Sequence, residues 1–518
     1  MSVVVVGSGA AGLSAALAAA VSGADVVVLE ASPWVGGTTA MSGGVVWAPG
    51  NHLAGDEAER RHDREQAGRY LRALGGGGLN LGSVDAFVDD VGRVVRTVGE
   101  HTALCWELLE SWPDYRGDLP GASVGRRSLW PAPLALPWSV AARVRPDPAA
   151  AAGGHDGAAA HDDGAAAHDD GAVLRGPVRG RVLVGALLAA LADLGVEVRT
   201  ACRVAGLMTG SDGVAGVVLD GERLEGRVVL ASGGFQFDVA LAEAHLGGVP
   251  VAAMGEPCCT GDGLRMAERA GATLVTMDEG WWMPAMSVPG EQLEGAAFFR
   301  PLHSERAQPG AVVVDGSGRR FVDEAQNYGD VGQAMRRVAP GAPGAMAPRW
   351  WMVFDGAYRE RYPVGPLAPG DLDPPWLTVA DDVAGLARIL GLDALEDTVA
   401  RFNAGAERGV DPDFGRGEHP YDRWIGDPGA AHPTLAALTR APYYALEVHL
   451  GCMGTKGGPR TDDRGRVLGG GAWVCRGLYA AGNAAGSPFG SVTAAGGATL
   501  GPAMAFGYRA GEAAVSDP

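Results

Sequence analysis

The sequence predicts an α/β fold with a parallel sheet, and three features near its start carry this prediction. An apolar run at residues 3–6 is typical of a buried strand. A glycine-rich turn with the pattern G-x-G-x-x-G follows at residues 7–12 and leads into an alanine-rich helical stretch. A second apolar run, residues 25–29, ends at Glu30. This order of strand, turn, helix and strand is typical of a Rossmann-like dinucleotide-binding domain.

The glycine-rich turn predicts where phosphates bind. Gly7 permits the tight turn, Gly9 lets the backbone approach a pyrophosphate, and Gly12 lets the helix pack closely on the strand. N–H groups and a partial positive charge at the helix start attract the phosphates. Glu30 stands 18 residues after Gly12, where its carboxylate can accept hydrogen bonds from both ribose hydroxyls. A glycine turn without a ligand is the alternative interpretation.

A second glycine cluster indicates which dinucleotide is bound. It runs from Pro33 to Thr39 and continues to Ser42-Gly43-Gly44. A nicotinamide dehydrogenase has no need of these glycines, whereas a flavoprotein of this kind uses such a segment along the pyrophosphate and ribityl chain of FAD. We therefore expect FAD, although a flexible turn would also account for the Gly43-Gly44 pair.

Length and charge limit the classes of protein to consider. The 518 residues exceed the size of one hydrophobic core, so we expect two or three domains, which 47% apolar residues can fill. The chain has 42 lysine and arginine residues against 61 aspartate and glutamate residues, a net charge of −19. This balance argues against nucleic acid or an anionic membrane surface as an obligate partner, because both would repel the chain.

Cysteine usage and apolar runs indicate the compartment. The six cysteines have neither C-x-x-C spacing nor histidine partners at metal-ligand distance, so we expect no metal site and no disulfide framework. No basic segment or cleavage site accompanies the first strand, and no uninterrupted run of about 18 apolar residues occurs. We therefore expect a cytoplasmic protein without a membrane span.

Beyond the second glycine cluster, the sequence predicts helices and then an irregular segment. The charged residues 56–68 and the helical spacing of apolar residues in 84–109 predict two helices. Residues 112–148 are rich in Pro, Trp and Gly and contain Tyr115, and loops of this composition often line sites. Residues 149–172 are of low complexity, and we expect a disordered or mobile surface loop there. Metal binding by its tandem His and Asp residues is the less favoured alternative, since Ala and Gly separators fix no geometry.

The dinucleotide-binding domain is expected to be discontinuous. An amphipathic helix at 181–194 and a buried strand ending at Ser232-Gly233 complete its first part. Tryptophans, prolines and short apolar runs then predict an inserted α+β cap domain, after which a strand ends at Gly482-Asn483 and a last helix begins near Pro502. The expected domains are the first part of the FAD-binding domain at 1–271, the catalytic cap at 272–440 and the second part of the FAD-binding domain at 441–518.

Three sequence blocks resemble one enzyme family. They are GRRFVDEAQNY at 318–328, GTKGG at 454–458 with Thr461-Asp462, and GLYAAGN at 477–483 followed by 497–508. With these blocks in family order, the chain resembles the fumarate-reductase-type flavoproteins, and among them the 3-ketosteroid dehydrogenases, over nearly its whole length. The residues that we expect to contact FAD are Gly7, Gly9, Ala11, Gly12, Glu30, Ala31, Gly36, Gly37, Thr38, Thr39, Ser42, Gly43, Gly44, Ser232, Gly233, Gly482, Asn483, Gly497, Thr499 and Leu500.

The resemblance implies an oxidation of a cyclic ketone. Such enzymes remove two vicinal hydrogens, one as a proton and one as a hydride to flavin N5, and leave a conjugated enone. Tyr328 matches the tyrosine that acts as the base, and Tyr115 is a plausible match for the tyrosine that assists it. Because a phenol with its ordinary pKa of about 10 is a poor base at pH 7, a hydrogen-bonded partner is needed. An ordinary half-buried tyrosine is the alternative at both positions.

One position departs from the pattern of the 3-ketosteroid 1-dehydrogenases. Those enzymes hold the ketone oxygen with a tyrosine hydroxyl and with a backbone N–H four residues later. This chain has Thr493 at the tyrosine position and keeps the backbone donor at Gly497. Since one such donor contributes about 3 kcal/mol in a preorganised site, we expect a changed substrate rather than a damaged steroid enzyme.

The leading hypothesis is an FAD-dependent dehydrogenase that desaturates a steroid or a smaller cyclic ketone and passes electrons to oxygen, a quinone or another carrier. A second hypothesis is a flavin-dependent ene-reductase of the fumarate reductase type, with Arg300, His303 and Arg306 as candidates for its basic residues. An isolated arginine is more often a solvated ion-pair partner. A third hypothesis is an FAD-binding partner protein without turnover, which the loss of the phenol at Thr493 would explain.

Overall fold

The computed structural model describes residues 1–76, 79–149, 165–168, 171–174, 178–210, 213–339, 348–470, 472–473 and 476–518. The helices are α1 (Ala10–Val21), α2 (Gly37–Ala40), α3 (Glu57–Gly75), α4 (Leu81–His101), α5 (Trp138–Ala141), α6 (Gly180–Asp193), α7 (Val239–His245), α8 (Asp262–Arg269), α9 (Tyr328–Val338), α10 (Gly356–Arg361), α11 (Val383–Leu390), α12 (Leu395–Ala406), α13 (Pro420–Ile425) and α14 (Leu500–Ser516). Two short 3-10 helices lie at Glu305–Ala307 and Gly482–Ala484.

The strands fall into several sheets, of which two organise the molecule. The strands are β1 (Ser2–Val6), β2 (Asp25–Leu29), β3 (Val46–Trp47), β4 (Trp106–Leu109), β5 (Ser128–Pro131), β6 (Leu134–Leu136), β7 (Ala165–His168), β8 (Gly171–Leu174), β9 (Glu197–Arg199), β10 (Gly206–Gly210), β11 (Gly213–Leu219), β12 (Glu222–Glu225), β13 (Arg227–Leu230), β14 (Ala252–Ala253), β15 (Leu274–Val275), β16 (Gly280–Leu293), β17 (Ala296–Pro301), β18 (Ala311–Asp315), β19 (Trp350–Asp355), β20 (Thr378–Ala380), β21 (Tyr443–Thr455), β22 (Gly458–Pro459), β23 (Leu468–Gly469), β24 (Ala472–Trp473) and β25 (Leu478–Ala480).

The first sheet has five parallel strands in the order β25-β13-β1-β2-β9. Residues 3–6 of β1 are buried on both faces, as expected for a parallel strand that helices cover. β25 joins this sheet beside β13, so the sheet combines residues 2–230 with residues 478–480. The predicted α/β fold is therefore confirmed.

Helix α14 packs closely on α1, and glycines make the approach possible. A Cβ atom on Gly507 would lie 2.2 Å from the carbonyl oxygen of Ala11, and one on Gly511 would lie 2.2 Å from that of Ala15. Because no side chain fits at either position, the two helix backbones touch. This contact brings the start of α14 beside the glycine-rich turn that precedes α1.

The second sheet is mainly antiparallel, with the strand order β17-β16-β21-β19-β18. β14 and β20 also pair with β21, so β21 is the central strand. β21 lies at 443–455 and β14 at 252–253, and both fall outside the expected cap range of 272–440. The expected range leaves out part of this sheet, because β21, which pairs with both β16 and β19, lies after residue 440.

Two helix predictions need correction. The apolar spacing in 84–109 forms α4 only to His101, since residues 106–109 pair with β5 as strand β4. The helix predicted as amphipathic at 181–194 is α6, and apolar residues cover nearly all of its surface. A helix that is apolar all round is buried rather than amphipathic. The charged helix predicted at 56–68 is α3, which continues to Gly75.

The low-complexity segment is only partly described. Residues 150–164 and 169–170, including the tandem His-Asp-Asp at 161–163, lie outside the described residues. Residues 165–168 and 171–174 form the hairpin β7–β8, which pairs with β6, instead of an irregular loop. Backbone hydrogen bonds make this pairing, which explains why composition did not predict it. No helix among the described residues is long and apolar enough to cross a membrane.

Candidate active site

The glycine-rich turn has the close contacts that its pattern predicts. Gly7 has a φ of +109°, and a Cβ atom there would lie 2.3 Å from the carbonyl oxygen of Ala231. A Cβ atom on Gly12 would lie 1.9 Å from the carbonyl oxygen of Gly7. Neither position accepts a side chain, so strand β1, the turn and helix α1 are in direct backbone contact. Ser232 follows Ala231 at the end of β13 and lies against the same turn.

Glu30 is fixed beside this turn by hydrogen bonds that the sequence did not indicate. One carboxylate oxygen accepts from the backbone N–H of Ser8 at 2.9 Å and from its hydroxyl at 2.6 Å. The other accepts from the backbone N–H of Ser32 at 2.9 Å. A carboxylate has about four acceptor sites, so one remains for a ribose hydroxyl. Ser8 stands at an unspecified position of the G-x-G-x-x-G pattern and Ser32 lies outside it, so neither carried a signal of its own.

The second glycine cluster folds across the start of α1. The Thr39 hydroxyl accepts from the backbone N–H of Ala10 at 2.9 Å, and the Gly36 N–H donates to the Ser8 hydroxyl at 2.8 Å. The Thr38 hydroxyl accepts from the N–H of Glu256 at 3.0 Å. The cluster therefore connects the phosphate-binding turn with the segment that leads to the second sheet. The neighbouring predicted residues Ala31, Gly37, Ser42, Gly43 and Gly44 lie on the same segment.

Predicted residues from the C-terminal part line a cavity of about 380 Å³. Gly482, Asn483 and Thr499 all contribute to its wall. A Cβ atom on Gly482 would lie 2.9 Å from the Cβ of Ala11, which brings the two ends of the chain together. Leu500 begins α14 directly after Thr499, so N–H groups of a helix start face this region. The site as a whole fits a flavin dinucleotide. It combines glycines at which no side chain fits, two helix N-termini and the Glu30 carboxylate, which can accept from a ribose hydroxyl.

Tyr115 and Tyr328 meet in a buried aromatic cluster. Their ring centroids are 5.5 Å apart, and the ring of Tyr421 lies 4.8 Å from that of Tyr115. The imidazole of His303 lies 5.7 Å from the Tyr328 ring on another side. Tyr421 was missed by sequence reasoning, because a tyrosine at the start of the short helix α13 follows no distinctive pattern. The two tyrosines that the resemblance singled out are thus direct neighbours.

The surroundings of Tyr328 act on its acidity in opposite directions. Burial raises the pKa of Tyr328, while the neighbouring Tyr115 hydroxyl and the Arg306 guanidinium lower it. Burial raises the pKa of Tyr115 well above the ordinary value. The Tyr115 hydroxyl is buried and has no well-formed hydrogen bond within the described part of the chain. Of the pair, Tyr328 is therefore the phenol whose environment favours the anion more.

Thr493 lies close to Tyr328, and Gly497 follows it on the same segment. A Cβ atom on Gly329, the residue after Tyr328, would lie 3.2 Å from the Thr493 hydroxyl oxygen. Gly497 has a φ of +88°, and a Cβ there would lie 2.6 Å from the backbone nitrogen of Trp47, so the position requires glycine. Tyr328, Tyr115 and Thr493 thus come from three separated segments that meet, since the Tyr115 N–H also donates to the carbonyl oxygen of Ala494 at 3.0 Å. Gly497 lies four residues after Thr493 on the last of these segments.

Lys456 belongs to this region, although sequence reasoning gave it no role. Its Nζ donates to the carbonyl oxygens of Ser491 and Val492 at 2.7 and 2.9 Å, and to the Thr493 hydroxyl at 3.2 Å. Burial lowers the pKa of Lys456 to about 7. The available signal was the GTKGG block itself, in which Lys456 is the only charged side chain.

The three basic residues considered for a reductase lie in different settings. Arg300 forms a bidentate ion pair with Glu291, at 2.7 and 2.9 Å. His303 lies beside Tyr328, and burial lowers its pKa to about 4, so the imidazole is neutral near pH 7. Arg306 is fully buried and donates to the carbonyl oxygen of Gln326 at 2.7 Å, two residues before Tyr328. His303 and Arg306 therefore adjoin the tyrosine cluster, whereas Arg300 is paired elsewhere.

Comparison with known proteins finds a matching family and similar proteins. The family described as "FAD binding domain" matches residues 2–500. The chain is 38% identical to a 4-oxocyclohexanecarboxylate 2-dehydrogenase of Sinomonas cyclohexanicum, over 98% of this chain and 92% of that protein. It is 36% identical to a 3-oxosteroid 1-dehydrogenase of Mycobacterium tuberculosis, over 98% of this chain and 97% of that protein.

A solved structure extends the similarity to the fold. The 3-ketosteroid delta1-dehydrogenase from Sterolibacterium denitrificans, in complex with 1,4-androstadiene-3,17-dione, superposes with a TM-score of 0.88. The two chains are 30% identical, and the match covers 100% of this chain and 99% of the other. The resemblance to the ketosteroid dehydrogenases that three sequence blocks indicated is confirmed over the whole length.

Proposed function

This chain belongs to the FAD binding domain family, and on that premise we propose that it is an FAD-dependent dehydrogenase acting on a cyclic ketone. The reaction introduces a carbon–carbon double bond next to the carbonyl group. The observation that carries the proposal is the Tyr115–Tyr328 pair beside Thr493, on the segment that continues to Gly497. A base and two hydrogen-bond donors at one point are what removal of a proton α to a ketone requires.

In this proposal, the chain supplies the acid–base part of the reaction. The Tyr328 phenolate takes the α-proton, and the neighbouring Tyr115 hydroxyl stabilises the phenolate form. The Gly497 N–H and the Thr493 hydroxyl donate to the ketone oxygen, on which negative charge develops as the proton leaves. FAD, when bound, accepts the β-hydrogen as a hydride, so that the remaining electron pair forms the double bond.

The substrate class follows from relatives and from Thr493. Relatives at 38% and 36% identity are named for a substituted cyclohexanone and for a 3-oxosteroid. The shorter side chain of Thr493 stands where the steroid enzymes use a tyrosine, which supports a substrate held differently from a steroid. We therefore propose a monocyclic ketone first and a 3-oxosteroid second. The electron acceptor is proposed to be oxygen, a quinone or another carrier.

Two further assignments remain proposals. We propose that residues 1–271 and 441–518 form the FAD-binding domain and that 272–440 form the core of the cap, to which β14 and β21 add strands. The expected cytoplasmic location is supported by the free thiols of Cys105, Cys202, Cys258, Cys259 and Cys452.

An anaerobic titration of the FAD-loaded protein tests the function. We would add 4-oxocyclohexanecarboxylate or 4-androstene-3,17-dione and follow the oxidised flavin band, with Tyr328→Phe as the matched control. Bleaching by either ketone in the wild type, and much slower bleaching in the variant, is the expected result. Absence of bleaching by both, with reoxidation of dithionite-reduced protein by the corresponding enones, would assign an ene-reductase instead. No spectral response to any of them would assign FAD binding without turnover.

The ene-reductase alternative receives no support from the arginines. Such a reduction needs a basic residue that reaches the substrate as an acid or as a carboxylate clamp. Arg300 is already paired with Glu291, and Arg306 is fully buried, with its Nε and Nη1 groups on backbone carbonyls. The tyrosine pair beside Thr493 supports the dehydrogenase direction instead.

A further inference from the structure

We infer that Lys456 is a positioning residue for the ketone-binding side of the site. Its ammonium group fixes the segment 491–493 and orients the Thr493 hydroxyl so that the hydroxyl proton is free for the ketone oxygen. The inference rests on the proposed function, in which Thr493 and Gly497 hold that oxygen. It adds a residue that would act through Thr493 and not by direct contact with the substrate.

The hydrogen bonds of Lys456 determine the direction of the Thr493 hydroxyl. Nζ lies 2.7 Å from the Ser491 carbonyl oxygen, 2.9 Å from the Val492 carbonyl oxygen and 3.2 Å from the Thr493 hydroxyl oxygen. An ammonium group has three donors and no acceptor, and the two carbonyl oxygens can only accept. All three N–H groups are therefore used, and the Thr493 oxygen acts as an acceptor. The hydroxyl proton of Thr493 then points to a different partner.

The environment of Lys456 directs its charge toward this segment. The side chain is 1% exposed, and Nζ lies 4.2 Å from the ring centroid of Trp281. Burial lowers the pKa of Lys456, while Glu279, Asp330 and Cys452 act in the opposite direction. None of these three forms an ion pair with the ammonium within the described ranges. Carbonyl oxygens, a hydroxyl and an aromatic face are thus its immediate partners.

Glu279, the acid that acts most strongly on the pKa of Lys456, forms hydrogen bonds with other residues. The Glu279 carboxylate accepts from the Trp282 indole at 3.0 Å and from the Gln333 amide at 2.7 Å. It also lies 3.3 Å from the Arg336 guanidinium. Glu279 therefore does not neutralise Lys456 directly. Below its pKa, Lys456 therefore carries a positive charge one hydrogen bond away from the Thr493 hydroxyl oxygen.

The choice of residue type supports a geometric role. Lys456 is the single lysine among the 42 lysine and arginine residues of the chain. All the others are arginine, so a position that required only a positive charge could also be arginine. A compact ammonium on a flexible stem can direct three donors at three separate oxygens, whereas the planar guanidinium fork is larger and fixed in shape. The three oxygens around Nζ match the ammonium.

The consequence for the reaction is electrostatic. As the α-proton leaves, negative charge moves to the ketone oxygen, to which the Thr493 hydroxyl donates. A hydroxyl that accepts from a cation is a stronger donor, because each hydrogen bond polarises the next. Lys456 would in this way compensate in part for the phenol that steroid 1-dehydrogenases have at the position of Thr493. The chain thereby keeps two oriented donors for one oxygen.

A double-mutant cycle on the FAD-loaded enzyme tests this mechanism. We would measure the anaerobic rate of flavin reduction by 4-oxocyclohexanecarboxylate and by 4-androstene-3,17-dione in Lys456→Met, Thr493→Ala and the double variant. We expect Lys456→Met to slow reduction about tenfold or more in the wild-type background and less than about twofold in the Thr493→Ala background. Ser491→Ala is the matched background control, since only the backbone carbonyl of Ser491 contacts Lys456. There the full effect of Lys456→Met should remain. An equal cost of Lys456→Met in all three backgrounds would overturn the inference.

A second measurement needs neither turnover nor a lysine variant. With a single lysine, holoenzyme labelled with carbon-13 lysine gives one side-chain NMR signal, whose pH titration reports Lys456 alone. We expect a midpoint near 7, well below the ordinary value of about 10.4, and a shift of the signal in Thr493→Ala but not in Ser491→Ala. A signal that Thr493→Ala leaves unmoved would overturn the inference. Failure of both ketones to bleach the flavin, with the NMR shift present, would overturn the proposed function alone.

Discussion

The Tyr115 ring meets the Tyr328 ring edge-on, with centroids 5.5 Å apart and an angle of 79° between the ring planes. Tyr115 comes from the irregular segment before β5, and Tyr328 is the first residue of α9. Asn327 caps this helix by accepting from the Asp330 N–H at 3.0 Å, which fixes the backbone directly before Tyr328. The partial positive charge of a helix start favours an anion at this position. Contact, cap and helix start together favour Tyr328 as the base.

Replacing the base should slow the chemical step without loss of the cofactor. In Tyr328→Phe we expect flavin reduction by the best ketone to fall about a hundredfold to ten-thousandfold, the usual contribution of a general base. The half-buried Tyr443 at the start of β21 provides a control, and Tyr443→Phe should reduce at the wild-type rate. Stopped-flow absorbance under anaerobic conditions measures both. A Tyr328→Phe enzyme with the wild-type rate would remove Tyr328 from its role.

The glycine-rich turn should tolerate no side chain at its third glycine. A Cβ atom on Gly12 would lie 1.9 Å from the backbone oxygen of Gly7, so helix α1 must move away from β1. We expect Gly12→Ala to lose about 1–3 kcal/mol of unfolding free energy, as overpacked cores do, and to retain less FAD. Gly206→Ala is the matched control, since no atom lies within 4 Å of the added Cβ, and its change should stay within about 0.5 kcal/mol. Urea unfolding measures both, and equal stabilities would contradict the close contact.

Glu30 should contribute to FAD affinity through its charge. Its carboxylate accepts from Ser8 and Ser32 and has room for a ribose hydroxyl. Hydrogen bonds to a charged group contribute about 1.5–3 kcal/mol, so we expect Glu30→Gln to weaken FAD binding by about tenfold to a hundredfold. Glu197→Gln, at an exposed carboxylate paired with Arg199, is the control and should leave Kd unchanged. Fluorescence titration of the apoprotein with FAD measures Kd, and equal values in both variants would argue against a ribose contact.

The first half of the dinucleotide fold was predictable because its requirements are local. The spacing of Gly7, Gly12 and Glu30 follows from one turn and two strands, and the structure shows the predicted close backbone contacts at Gly7 and Gly12. The central position of β21 was not predictable, since a strand that pairs with four others has no local pattern that reveals its neighbours. This is why the expected cap range of 272–440 leaves β21 out.

The predicted catalytic residues came from resemblance, and their neighbours came only from the fold. Tyr421 and Arg306 lie in different segments from Tyr115 and Tyr328, and long-range packing brings all of them together. Lys456 lay within a recognised block, yet its three acceptors are in residues 491–493, which pack on it from another loop. A site built from such long-range contacts leaves no periodic pattern in the sequence from which it could be predicted.

Arg306 differs from the other buried arginines in its partners. Arg127, Arg145, Arg359 and Arg416 each form an ion pair with a carboxylate. Arg306 donates only to backbone carbonyls, and its Nη2 has no hydrogen-bond partner among the residues that the structure describes. Asp323 and Glu305 influence it, but burial raises the pKa of both, that of Asp323 to about 8, so burial favours their neutral forms. A buried cation without a carboxylate is suited to a transient anion nearby.

We therefore expect Arg306→Gln to move the pH profile of flavin reduction. Tyr328 must be a phenolate to take a proton, and the Arg306 guanidinium lowers the pKa of Tyr328, so loss of the charge raises that pKa. The rise of the reduction rate with pH should shift to higher pH, and the rate at pH 7 should fall, because a smaller fraction of Tyr328 is then phenolate. Glutamine keeps an N–H donor for the Gln326 carbonyl, and Arg300→Gln, at the ion pair with Glu291, serves as the control with an unshifted profile. An Arg306→Gln enzyme that is folded, binds FAD and keeps the wild-type profile would show that the phenolate draws its stability from Tyr115 and the helix start alone.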